Sequence, residues 1–239
     1  MQIVATIKAY ERTKFYDLAA ATPLLAFYAL GVWNLGAQAV RLAGEQIGSG
    51  GDARLVLLAN VLLKLAFATL IVWLLMVRRV PQAKLPGLIP RFAAVAGTFS
   101  GIVLTVLPVA PLSLSAMLLT MIPITIGLAG SLFVLAWLGR QFSIMPEARK
   151  LVSSGPYALV RHPLYLFELI AFSGLMLQHV QPWAAILFSA VCTLQFVRMI
   201  YEERVLASAF PEYADYAART PRIVPCIRRR VAGRARQSA

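Results

Sequence analysis

Charge is scarce in this chain of 239 residues: Asp, Glu, Lys and Arg make up 14% of it, against roughly 25% in an ordinary soluble domain. Acids are the scarcest, ten against 23 basic residues. With 59% hydrophobic residues and a mean hydropathy of +0.73, that balance excludes a soluble globular domain and a disordered polar one. Cysteine and histidine number two each. Cys192 stands in an apolar run and Cys226 in a basic tail, so neither a disulfide framework nor a thiolate or imidazole metal cage is expected. No Gly-x-Gly-x-x-Gly follows a strand pattern, and no Rossmann domain is expected. No cleavable signal peptide is expected, since the first apolar run, from Leu18, is longer than a signal's short core.

What the chain has in quantity is long apolar runs. A helix needs about 20 apolar residues to cross a hydrocarbon core ~30 Å thick. Candidate spans are Leu18–Val40, Leu55–Val77, Phe92–Val109 and Leu114–Leu138. Leu164–Leu177 and Trp183–Ile200, separated by Gln178–Pro182, read as a helical hairpin that crosses or dips into the membrane. The expected fold is all-α: a polytopic membrane protein of five to six membrane helices, ending in that hairpin. Residues 1–150 hold the N-terminal membrane helices, 151–225 a motif-rich region and 226–239 a basic tail.

The basic residues alternate sides. Three fall in 1–17, four in 78–91, four in 139–163 and nine from Arg198 onward, while the intervening loops hold only Arg41 and Arg54. By the positive-inside rule both termini are cytoplasmic, and a bacterial inner membrane is the expected location. The tail Arg228–Arg236 is expected on anionic lipid headgroups; without interleaved aromatics it does not read as nucleic-acid binding. Lys64 and Glu168 are the formal charges inside the proposed spans, which makes both functional candidates. Pro123 should kink the fourth span, and Gly127 and Gly130 should allow close packing beside it.

Polar residues converge after Leu138. Leu151–Tyr157 reads as a turn broken by Gly155-Pro156. Arg161-His162-Pro163-Leu164-Tyr165 opens the fifth helix with proline in its first turn. If helical geometry reaches back to Arg161, then Arg161, Tyr165 and Glu168 share one face. Glu202-Glu203 follow the sixth run, and Phe210–Tyr216 and Arg219–Pro225 read as a short amphipathic helix and an extended end. On spacing alone, interfacial anchoring is the favoured reading of these residues.

Together, Gly155-Pro156-Tyr157, Arg161-His162-Pro163-x-Tyr165, Glu202-Glu203-x-x-Leu206, Phe210, Tyr213-x-x-Tyr216 and Arg222-x-x-Pro225 resemble the isoprenylcysteine carboxyl methyltransferase family. Its wider superfamily includes phospholipid N-methyltransferases and, more distantly, sterol reductases. The resemblance covers Leu151–Pro225 and implies a membrane methyltransferase using S-adenosylmethionine. It implies a cofactor pocket built from Val152, Gly155, Tyr157, Arg161, His162, Pro163, Tyr165, Glu202 and Glu203. Arg161 or His162 would hold the methionine carboxylate, and Glu202 or Glu203 the ribose hydroxyls or α-amino group. Tyr157 and Tyr165 would pack on adenine or near the sulfonium. Of the chemistry-bearing residues, Arg198, Arg204 or Arg222 would orient an anionic acceptor, the match to the family motif favouring Arg222. Glu203 or His162 would serve as base for a thiol or amine. Glu168 would stand where a lipophilic acceptor enters from the membrane. Phe167 stands where the family commonly has a small residue, typically glycine, which is expected to narrow the pocket or to shift the helix packing. The alternatives are an NADPH-dependent membrane reductase and a non-catalytic scaffold or transport protein.

Overall fold

The computed structural model describes residues 14–44 and 51–225, with side chains from residue 54 in the second stretch. The basic tail and Cys226 lie outside the described residues. Among these residues the fold is helical, with one two-stranded ladder as the exception. Helix α1 is Lys14–Gly44 and α2 is Gly51–Val77; α3 is Leu88–Leu104, α4 Leu114–Leu138, α5 Pro156–Leu159, α6 Pro163–Leu177, α7 Trp183–Ala209 and α8 Tyr213–Arg219. Helices α1, α2, α4 and α7 are long and apolar enough to cross a membrane, while α3 and α6 are shorter apolar helices. This is an integral membrane protein of the expected all-helical class.

Two boundaries differ from expectation. Helix α3 begins and ends earlier than the apolar run 92–109, because Pro108 disfavours helical backbone at the residue before it. Helix α7 runs on through Ala209, well past the apolar run, so Glu202 and Glu203 lie on the helix rather than after it.

Helices α4 and α6 form the most extensive pairing, and glycine is the reason. A side chain at Gly127 would meet the backbone nitrogen of Ala171 at 2.4 Å, and one at Gly130 the Phe167 ring at 2.1 Å. Gly174 of α6 lies in turn under Pro123 and Thr120 of α4. The Phe167 ring therefore lies on Gly130, against α4. It is absent from the walls of the polar cavity described below, so of the two expected effects the ring bears on helix packing and does not narrow the cavity.

At one end of the bundle the uncharged loops meet: Ala110 N–H donates to the Gln178 carbonyl at 2.9 Å and Val180 N–H to Pro108 at 3.1 Å. At the other end, strand β1 (Ala83–Lys84) pairs antiparallel with β2 (Glu147–Ala148), setting Lys84 opposite Glu147. The loops after α2 and after α4 are thereby tied together beside an apolar cluster of Leu24, Ile71, Leu74, Leu135, Phe142 and Ile144.

Candidate functional site

The site end is assembled from three stretches of backbone. Gly155, at φ 60°, turns the chain into α5, in a conformation that favours glycine. A Cβ there would also meet the Trp137 indole at 2.2 Å. Gly155-Pro156 thus starts a short helix instead of only breaking one. Proline at the first position of α6 sets that helix's start. Arg161 stands before it, so the expected helical stripe of Arg161, Tyr165 and Glu168 is not formed. Instead, Arg161 N–H donates to the Pro221 carbonyl at 2.8 Å and His162 N–H to Arg222 at 3.0 Å. The C-terminal segment is thereby docked over the entrance to α6.

Consecutive residues on a helix point about 100° apart, and this separates the two glutamates of α7. Glu203 is a hub. It accepts a bidentate pair from Arg222, Nε at 2.9 Å and Nη2 at 2.7 Å, together with His162 Nε2 at 3.0 Å, and pairs with Arg161 Nη1 at 3.0 Å. Glu202 faces elsewhere and accepts the Tyr165 hydroxyl at 2.7 Å. The Arg198 guanidinium lies 5.0 Å from the centre of the Tyr165 ring, within cation–π range. Tyr216 donates its hydroxyl to the Tyr157 carbonyl at 2.7 Å. Burial, with the nearby Glu202 charge second, pushes the Tyr157 phenol well above its ordinary value, so it stays protonated as a donor. Hydrogen bonding to Glu203 raises Arg222 further, so it stays charged.

These groups surround a cavity of about 70 Å³, room for one end of a nucleoside-sized ligand. Val152, Tyr157, Arg161, His162, Tyr165 and Glu202 line it. Gly155 and Pro163 shape its backbone without lining it. Glu203 and Arg222, expected to meet cofactor or acceptor, are paired with one another outside the lining.

The loop 139–150 contributes walls that the motifs do not reveal, among them Gln141, Phe142, Glu147 and Arg149. Arg149 is fully buried. Its Nη2 donates to Asp17 Oδ1 at 3.0 Å and to Glu147 Oε2 at 2.6 Å, while Nε and Nη1 have no partner among the described residues. Gln141 Oε1 is likewise unpartnered. Asp17 also accepts Arg78 Nε at 2.9 Å. In sequence Arg149 is one more positive loop charge. The available signal was the scarcity of acids: an Asp or Glu in such a chain calls for a cationic partner.

Glu168, one turn beyond Tyr165 on α6, lines a second cavity of about 310 Å³. Its other walls are mostly apolar, including Phe27, Tyr28, Phe67, Phe99 and Phe172, with Thr98, Thr105 and Ser131 among them. Glu168 Oε2 accepts Gln195 Nε2 at 2.8 Å. Lys64 is exposed on the outer face of α2 and joins neither cavity. No group of three or more His, Cys, Asp and Glu is arranged to hold a metal among the described residues.

An adenosylated sulfonium amino acid carries a carboxylate, an ammonium, a ribose diol, a cationic sulfur and an aromatic base. The unpartnered Arg149 donors, the unpartnered Gln141 acceptor, the Glu202 carboxylate and the faces of Tyr157 and Tyr165 match that set. The residues present fit S-adenosylmethionine.

Comparison with known proteins agrees with the motifs. Residues 116–213 match the phospholipid methyltransferase family. The chain is 40% identical over 111 residues to the cobalt-zinc-cadmium resistance protein CzcN of Cupriavidus metallidurans, covering 43% of this chain and 49% of that protein. It is 31% identical over 115 residues to the nickel-cobalt-cadmium resistance protein NccN of Alcaligenes xylosoxydans xylosoxydans, covering 47% and 52%. To protein-S-isoprenylcysteine O-methyltransferase B of Arabidopsis thaliana it is 36% identical over 96 residues, covering 37% and 49%. The chain spans about half the length of the curated relatives it matches. Motifs, helical membrane fold and relatives point the same way: through residues 116–213 this chain is similar to the phospholipid methyltransferase family, and it resembles the isoprenylcysteine carboxyl methyltransferases among its relatives.

Proposed function

We propose that the protein transfers a methyl group from S-adenosylmethionine to a lipophilic acceptor drawn from the membrane. The observation that carries this reading is the sequence of two cavities along α6: a polar one at Tyr165 and, one turn on, an apolar one at Glu168. Bound cofactor would supply an electrophilic methyl group on a cationic sulfur. The protein's share is to align the acceptor with that methyl and to keep water out. Arg149 and Arg161 hold the carboxylate by charge-assisted bonds. Glu202 takes the ammonium or the ribose hydroxyls, and the faces of Tyr157 and Tyr165 meet adenine or the sulfonium. Glu203 is a positioning residue that fixes Arg161, His162 and Arg222. Glu168, the carboxylate of the apolar cavity, takes the proton that a thiol or amine acceptor gives up on methylation.

The plant relative is named for isoprenylcysteine O-methylation, and the metal-resistance relatives for the ions they protect against. The acceptor here is assigned only as lipophilic, because the apolar cavity draws on α1, α2 and α3, which precede the matched region. Neither a reductase nor a scaffold is favoured by a specific feature of the site. The positive-inside pattern supports a cytoplasmic cofactor end, and the basic tail would rest on anionic headgroups.

Calorimetric titration of the detergent-purified protein with S-adenosylhomocysteine tests the reading. Saturable binding is expected, weakened roughly tenfold or more in Glu202→Gln and Arg149→Gln, since a hydrogen bond to a charged group contributes about 1.5–3 kcal/mol. No binding to folded wild-type protein would overturn it.

A further inference from the structure

Glu147 and Met145 also line a separate cavity of about 190 Å³ between the beginnings of α1 and α3. Its walls are of two kinds. Ala20, Ala21 and Leu24 of α1, with Leu85, form an apolar side, and Arg78, Lys84 and Arg91 bring three cations. Two acids are present, and both are already engaged. Asp17 is held by Arg78 and Arg149, and Glu147 by Arg149 at 2.6 Å. Lys84 stands back at 3.6 Å from Glu147, its ammonium 5.2 Å from the Tyr16 ring. Arg91, exposed in the first turn of α3, has no acidic partner among the described residues.

We propose that this cavity binds the phosphate of an anionic membrane phospholipid. Lys84 and Arg91 take the phosphate oxygens, and the glycerol and first acyl carbons lie along Ala20, Ala21 and Leu24. A soluble anion would need only the cations. The apolar wall belongs to a helix long enough to span the membrane, at the end where the basic loops gather, which is where an amphiphile enters sideways. Basic pockets between membrane helices on the cytoplasmic side are a recurrent setting for phosphorylated headgroups. The site is independent of methyl transfer: neither Lys84, counted as a headgroup ligand, nor Arg91 lines the cofactor cavity.

Native mass spectrometry of the full chain tests this with phosphatidylglycerol and phosphatidylcholine offered at equal concentration. Wild type should retain one phosphatidylglycerol in preference to phosphatidylcholine. Lys84→Gln/Arg91→Gln should weaken that retention roughly tenfold or more, as each surface cation contributes about a fivefold factor. The charge-matched control Arg228→Gln/Arg229→Gln removes the same charge from the tail and should keep the bound lipid. S-adenosylhomocysteine titration should be unchanged in both variants. Equal loss in the two variants would reduce the effect to diffuse charge and overturn the proposal. So would displacement of the lipid by millimolar inorganic phosphate, since the apolar wall would then have no part in binding.

Discussion

Glu202 and Glu203 are neighbours in sequence, and their surroundings predict opposite consequences of the same substitution. Glu203 is half-buried among Arg161, His162 and Arg222, so Glu203→Gln leaves the two guanidinium groups without a counter-charge. Loss of a fully buried pair costs about 3–5 kcal/mol; with Arg222 36% exposed, a stability loss of about 2–3 kcal/mol is expected. Among the described residues Glu202 holds only the Tyr165 hydroxyl, so Glu202→Gln should unfold close to the wild-type midpoint while losing affinity for S-adenosylhomocysteine. Thermal unfolding and calorimetry on the same preparations separate the two; equal loss of stability would show that Glu202 is structural. The motifs identified the pair as important but could not divide the roles. That division depends on which α7 face meets α6, and α7 has its acids beyond the apolar run that marked its span.

Among the elements, the α4–α6 seam makes the sharpest statement. The three atoms nearest to a Cβ at Gly130 all belong to the Phe167 ring, so Gly130→Ala should cost about 1–3 kcal/mol by overpacking. Phe167→Ala should relieve most of that cost, giving a favourable coupling in a double-mutant cycle. Gly127→Ala, whose Cβ meets Ala171 backbone, should gain nothing from Phe167→Ala. Additive behaviour of Gly130→Ala and Phe167→Ala would mean that the ring does not sit where described. The existence and order of the six apolar helices were legible from apolar runs, and Gly127 and Gly130 from their position beside Pro123, whereas the short helix α5 was read as a turn. What was not legible was the direction of Phe167: a single helix shows its own periodicity but not the notch in its partner. Arg149 escaped notice for a similar reason, because Asp17, the acid that holds it, stands on α1, far away in sequence.

At the scale of the whole molecule, the charge pattern and the meeting of the uncharged loops describe the same two ends. Ser115, exposed at the start of α4, belongs to the uncharged end, and Cys226 to the basic end in sequence. In intact cells a membrane-impermeant maleimide should label Ser115→Cys and spare Cys226, with the reverse expected in inside-out vesicles. Labelling of Cys226 from outside would invert the orientation and put the candidate cofactor cavity on the wrong side for a cytoplasmic cofactor. The motif region, for its part, does not stand alone: α1 supplies Asp17 beneath the polar cavity, and α1, α2 and α3 supply walls of the apolar one.

The contact between Asp17 and Arg149 sets a rule for anyone recombining this protein with its relatives. The similarity begins at residue 116, and a crossover placed there looks natural in an alignment. Such a hybrid would inherit a buried guanidinium from one parent and, unless the other parent carries an acid at the matching turn of its first helix, nothing to neutralise it. Asp17 must therefore travel with the second half, and Arg78, its other cationic partner, with Asp17. Acceptor preference is then transplantable only in blocks that respect this charge linkage, and a library built on a single junction would fail for reasons unrelated to catalysis.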